Sequence, residues 1–130
     1  MFQAEARRCK EIIDIVDSNK KETHFCTFDE LYSGTNPDEA EMSATAFMEY
    51  LVKNKNVSCM LTTHFVNVCK KLQNNKSIIN CHMEAEKNKN KICYKYIIKE
   101  GISELRGGIN VLYDMNYPNE IIENTLKQQN

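Results

Sequence analysis

Two adjacent carboxylates, Asp29 and Glu30, close a short apolar run, His24 to Phe28, and His64 follows a second such run, Cys59 to Thr63, about thirty residues later. Both runs have the length and content of buried strands. Ligands of open α/β sheets bind beyond the carboxyl ends of the strands, so these three groups would share one edge. A side-by-side Asp and Glu at such an edge suits nucleoside triphosphate chemistry. One carboxylate helps to hold a hydrated magnesium ion, and the other orients or deprotonates the attacking water. Neighbouring side chains on a regular strand point to opposite faces, but at a strand end the backbone turns and both can serve one site. His64 would approach the terminal phosphate from the neighbouring strand, as a donor or sensor. Ser33, Gly34 and Thr35 form a small-residue loop able to approach a phosphate or another backbone closely.

The elements that must position these groups are legible in the spacing of apolar residues. Cys9, Ile12, Ile13 and Val16 predict a helix from Phe2 to about Asp17, followed by a loop through Lys21. A second helix begins with Asn36 as N-cap and Pro37 at its first position. Asp38, Glu39 and Glu41 put negative charge in its first turns, where the helix dipole favours it. Ala40, Ala44, Phe47, Met48, Leu51 and Val52 make its apolar face. After the second strand, Phe65 to Leu72 reads as a short helix. Ile78 to Ala85 and Ile92 to Lys99 read as strands joined by the charged turn Glu86 to Lys91. Ile109, Leu112, Tyr113 and Met115 mark a further helix, and Pro118 opens a last one through Leu126. A strand, helix, strand order implies a right-handed parallel crossover. No repeat or composition break divides the chain, so one unit is expected.

Bulk properties exclude several classes. The 130 residues carry a net charge of −1, which argues against a generally basic coat for nucleic acid. Lys70-Lys71 and the lysines from Lys87 to Lys91 read as solvated faces rather than phosphate contacts. No apolar run approaches the roughly 20 residues of a membrane helix, and the N-terminus lacks a signal peptide's apolar core. A soluble protein inside the cell is expected, in cytoplasm or nucleus. Six cysteines, none in a C-x-x-C pair, read as small hydrophobes rather than disulfides or zinc ligands.

The joint arrangement resembles a known family. Phe28-Asp-Glu-Leu-Tyr-Ser-Gly-Thr-Asn36, followed by Leu61-Thr-Thr-His64, is similar to the ATPase domain of MutS-type DNA mismatch repair proteins. Upstream, Phe2-Gln-Ala-Glu5-Ala resembles the stretch after the ABC-type signature serine. Downstream, Asn80-Cys-His82-Met-Glu resembles the strand after the switch histidine. Gly101 to Val111 and Tyr117-Pro118-Asn-Glu-Ile-Ile resemble the closing glycine motif and a Pro-initiated helix. The resemblance implies Asp29 as the Walker B aspartate and magnesium ligand, holding the metal through water, and Glu30 as the catalytic glutamate. It implies Ser33, Gly34 and Thr35 as the D-loop at a dimer interface and His64 as the switch histidine, with ATP and Mg2+ as cofactors. Two departures stand out. Tyr32-Ser33 replaces the usual Gly-Arg, and Arg106-Gly107-Gly108 replaces the usual Ser-Tyr-Gly.

The resemblance also implies what this sequence does not hold. No G-x-x-x-x-G-K-[ST] occurs in it, so the β- and γ-phosphates lack their principal cradle. Residues 1–130 therefore resemble the C-terminal portion of the domain: an α/β fold, a partial P-loop NTPase (ABC-ATPase-like) sheet with flanking helices, a β-hairpin and C-terminal helices. ATP hydrolysis by the chain alone is not expected. It would act with a P-loop-bearing MutS-like subunit or with a preceding part of the same protein, and would meet mismatched DNA through the complete protein. Alternatively, it is a non-catalytic dimerisation or regulatory fragment that packs on such a subunit. An ABC-class ATPase of the chromosome-maintenance or transporter type fits the pattern after His64 less well. Met1 could be a natural start, an internal methionine or a truncation.

Overall fold

The computed structural model describes residues 1–89, 91–105 and 107–128, which form a small mixed α/β structure with short sheets. They divide into two compact units, Met1–Asn80 and Cys81–Asn130, a boundary for which the even composition carries no sign.

In the first unit, α1 (Phe2–Ser18) buries Cys9 and Val16, and Ile12 and Ile13 pack beside them, the face expected from their spacing. Asn19 ends the helix by donating its side-chain amide to the Ile15 carbonyl at 2.8 Å. Next come β1 (His24–Asp29) and α2 (Pro37–Val52). The Asn36 side chain accepts from the Asp38 backbone N–H at 2.9 Å, and Pro37 occupies the first turn, where its missing N–H costs nothing. Ala40, Ala44, Phe47, Met48 and Leu51 are buried as the apolar stripe requires.

β2 (Val57–Thr62) pairs with β1 in parallel, from His24 opposite Val57 to Asp29 opposite Thr62. The helical crossover expected from element order is therefore present. Alternate residues Cys26, Phe28, Cys59 and Leu61 turn toward the core, while Phe25, Thr27, Ser58 and Met60 face outward. The outward face stays bare, with Phe25 66% and Met60 61% exposed. α3 (Val66–Leu72) closes the unit by burying Val68 and Leu72.

In the second unit, β3 (Cys81–Asn88) and β4 (Lys91–Glu100) form an antiparallel hairpin. The expected strand Ile78 to Ala85 begins three residues late, because Ile78 is caught against the first unit's core and Asn80 is tied to the Cys69 carbonyl at 2.8 Å. The expected turn Glu86 to Lys91 is shorter than its charge suggested. Glu86, Lys87 and Asn88 pair with Cys93, Ile92 and Lys91, since ladder bonds satisfy the backbone while charged side chains stay in water. Register shifts between Met83 and Ala85, opposite Tyr96 with its φ of 58°. Lys95–Glu86 and Lys99–Glu84 ion pairs, each 3.3 Å, cross the ladder. α4 (Gly108–Asp114) and α5 (Asn119–Lys127) follow. Pro118 stands as the N-cap of α5 rather than inside it, and Ile122 is its buried residue. Arg106 of the closing motif lies outside the described residues.

Candidate active site

Parallel register sets the site. Asp29 is the last residue of β1 and lies directly across from Thr62, the last of β2. The Thr62 hydroxyl donates to Asp29 Oδ1 at 2.7 Å, and the Glu30 backbone N–H donates to the Thr62 carbonyl at 2.8 Å. This last bond carries the ladder one residue past the strand. The chain then turns, for Glu30 has a φ of 63°, in the left-handed region. Asp29 keeps the outward direction of its strand, and Glu30 swings toward β2. There its Oε1 lies 2.8 Å from His64 Nδ1. Against a carboxylate oxygen, which accepts, Nδ1 is the ring nitrogen that donates, and Nε2 is free of this contact. His64 stands against Phe65, ring centres 4.3 Å apart. The Phe65 N–H is held by the Thr63 hydroxyl at 3.0 Å.

Beyond Glu30 the turn is anchored on both sides. Leu31 and Tyr32 are buried, and Tyr32 also has a positive φ, 59°. Its ring lies 5.7 Å from Phe2 and 6.2 Å from Phe47, edge-on to the latter. Burial pushes its phenol well above the usual range, and the Cys9 thiol beside it adds to the rise. The Tyr32 backbone N–H donates to the Glu5 carboxylate. Ser33 and Gly34 are exposed, and Thr35 donates to Glu39 at 3.3 Å. Tyr32 thus takes a backbone conformation that suits glycine, the residue the resemblance leads one to expect there.

Among the residues singled out in the sequence, Asp29, Glu30 and His64 come together at one edge. Ser33, Gly34 and Thr35 lie farther along the same loop. Thr62, Glu5 and Tyr32 were not singled out as parts of a site. Strand register alone could have found Thr62, since Asp29 and Thr62 end paired strands. Glu5 lies in the stretch that resembles the segment after the signature serine, but its partner is 27 residues away and no spacing links the two. Asp29 is exposed, and one of its carboxylate oxygens is engaged by the Thr62 hydroxyl. Among the described residues, no group of three or more His, Cys, Asp or Glu gathers to hold a metal. An isolated, exposed carboxylate suits a magnesium ion that keeps most of its waters and is held chiefly by phosphates.

The cysteines divide by position. Cys9 is buried, and Cys26 and Cys59 face each other across the β1–β2 ladder on the core side. Burial pushes the Cys59 thiol up to about 11. Cys81 and Cys93 are exposed on the hairpin, contrary to the small-hydrophobe expectation. His82 is held in place by the Gly101 carbonyl, 2.9 Å from its Nδ1.

Residues 2–130 match the family model described as MutS domain V. Over 102 residues, 78% of this chain, the sequence is 28% identical to the DNA mismatch repair protein spellchecker 1 of Drosophila melanogaster. It is 27% identical over 82% of its length to the DNA mismatch repair protein MutS of Oceanobacillus iheyensis, and 25% identical over 90% to that of Aquifex pyrophilus. It spans 11%, 12% and 14% of the lengths of those three proteins. No helix among the described residues is long and apolar enough to cross a membrane. With the family model covering nearly every residue, the chain belongs to the MutS domain V family.

Proposed function

We propose that the chain supplies the Walker B and switch residues for ATP hydrolysis in a MutS-type DNA mismatch repair ATPase. The observation that carries this is the meeting of Glu30 and His64 at 2.8 Å, beside Asp29, at the carboxyl ends of two parallel strands. Asp29, steadied by the Thr62 hydroxyl, would help to hold a hydrated magnesium ion, which would supply neutralising charge to the phosphates. Glu30 orients the attacking water or takes its proton. His64 fixes the Glu30 carboxylate through Nδ1 and, with its ring protonated, donates from Nε2 to the terminal phosphate. Ser33, Gly34 and Thr35 serve as the D-loop toward a partner subunit.

The phosphate cradle is not encoded in these 130 residues, so it comes from a MutS-like subunit or from another part of the same protein. Mismatched DNA is engaged by the assembled protein. Purified residues 1–130 should show no ATPase activity alone. Joined to or mixed with a P-loop-bearing MutS-like segment, they should restore turnover, and Glu30→Gln should abolish it while ATP binding persists. Unchanged turnover in Glu30→Gln would remove Glu30 from its role.

A second, non-catalytic function is favoured by the bare outer face of the β1–β2 sheet. Phe25 and Met60, both more than half exposed there, suit packing on a P-loop-bearing subunit as a dimerisation or regulatory piece. Restored partner assembly without any turnover, in the same mixture, would select it.

A further inference from the structure

We infer that Glu5, on the first turns of α1, is a positioning residue that sets the aim of Glu30 by holding the backbone of Tyr32. The inference rests on the hydrolytic role proposed for Glu30, but its geometry stands apart from that role. Glu30 and Tyr32 both have left-handed backbone, with φ of 63° and 59°, separated only by buried Leu31. Neither is glycine, so each conformation is disfavoured by sterics and persists only where its surroundings hold it. The Glu30 end is held by the Thr62 carbonyl through its N–H. The Tyr32 end is held by the Glu5 carboxylate through its N–H and by its ring between Phe2 and Phe47. A charge-assisted bond to a backbone N–H is among the stronger hydrogen bonds in proteins. Gly34 passes close to the same helix end, where an added Cβ would meet the Phe2 nitrogen at 3.6 Å. The start of α1 thus acts as a template for the turn.

Removing the Glu5 acceptor frees the Tyr32 N–H and lets the two left-handed residues relax. The Glu30 carboxylate then leaves His64. Glu5→Gln keeps an acceptor oxygen without the charge and should preserve the turn, whereas Glu5→Ala should not.

The test uses nuclear magnetic resonance on the 130-residue chain. Glu5→Ala should speed amide exchange at Tyr32 by about tenfold or more. It should also remove the hydrogen-bonded Nδ1–H signature of His64. Glu5→Gln should keep both near the parent values. Val16→Ala, which loosens the same helix away from the turn, should lower stability and move neither signal. Two results overturn the inference: both signals unmoved in Glu5→Ala, or the same movement in Val16→Ala. If the signals behave as expected but Glu30→Gln leaves ATP turnover unchanged, the positioning stands and the hydrolytic role falls.

Discussion

Glu30 and His64 are 34 residues apart in sequence and 2.8 Å apart in space, because two parallel strands end side by side. Their side chains remain 40% and 63% exposed. A pair this wet is worth no more than about 1 kcal/mol to the fold, since water and salt screen it. His64→Ala should therefore shift urea-unfolding stability by less than about 1 kcal/mol. In the chain complemented with a P-loop segment, it should lower turnover by about 100-fold or more. A stability loss with intact turnover would make the contact structural.

Tyr32 sets two effects against each other. Truncating a buried aromatic ring costs about 3–5 kcal/mol. Left-handed backbone costs a non-glycine residue about 1–2 kcal/mol. Tyr32→Ala keeps the backbone penalty and loses the ring. Tyr32→Gly loses the ring and sheds the penalty, so it should be the more stable of the two by about 1 kcal/mol. Glycine elsewhere usually destabilises relative to alanine, so the reverse order would show that the turn is not held left-handed.

The second helix offers a cap and a core to compare. Asn36→Ala should cost about 1 kcal/mol by leaving the Asp38 N–H without its side-chain acceptor. Leu51 is fully buried, and Leu51→Ala should cost about 2–5 kcal/mol through lost burial and a cavity. Denaturant unfolding of both variants checks the ranking.

Thiol labelling should follow burial. Exposed Cys81 and Cys93 should alkylate first at pH 8, while Cys59, pushed up to about 11 by burial, stays protonated and slow. Unfolding returns Cys59 toward its ordinary value of 9.0. Between those values the unfolded chain binds fewer protons at this site than the folded one, so this thiol's contribution to stability falls as pH rises. Mass spectrometry after timed alkylation reads the order, and early modification of Cys59 would contradict it.

Local rules made much of this protein legible. Asn36-Pro37 announced the start of α2, and the spacing from Ala40 to Leu51 announced its buried face, because caps and helical periodicity are written within a few residues. The order of elements implied the parallel β1–β2 pairing, and the strand ends marked Asp29, Glu30 and His64. Tertiary structure alone decided the rest. Ile78 was drawn to a core rather than a strand, and the hairpin ladder ran into a charged turn. The left-handed turn at Glu30 and Tyr32, the Thr62 hydroxyl on Asp29, and the Glu5 carboxylate under Tyr32 depend on which distant backbones the register brings together. Chemical type and spacing are properties of short segments. The direction in which a carboxylate points is a property of the contacts that hold its turn, and those contacts come from the first helix and the neighbouring strand.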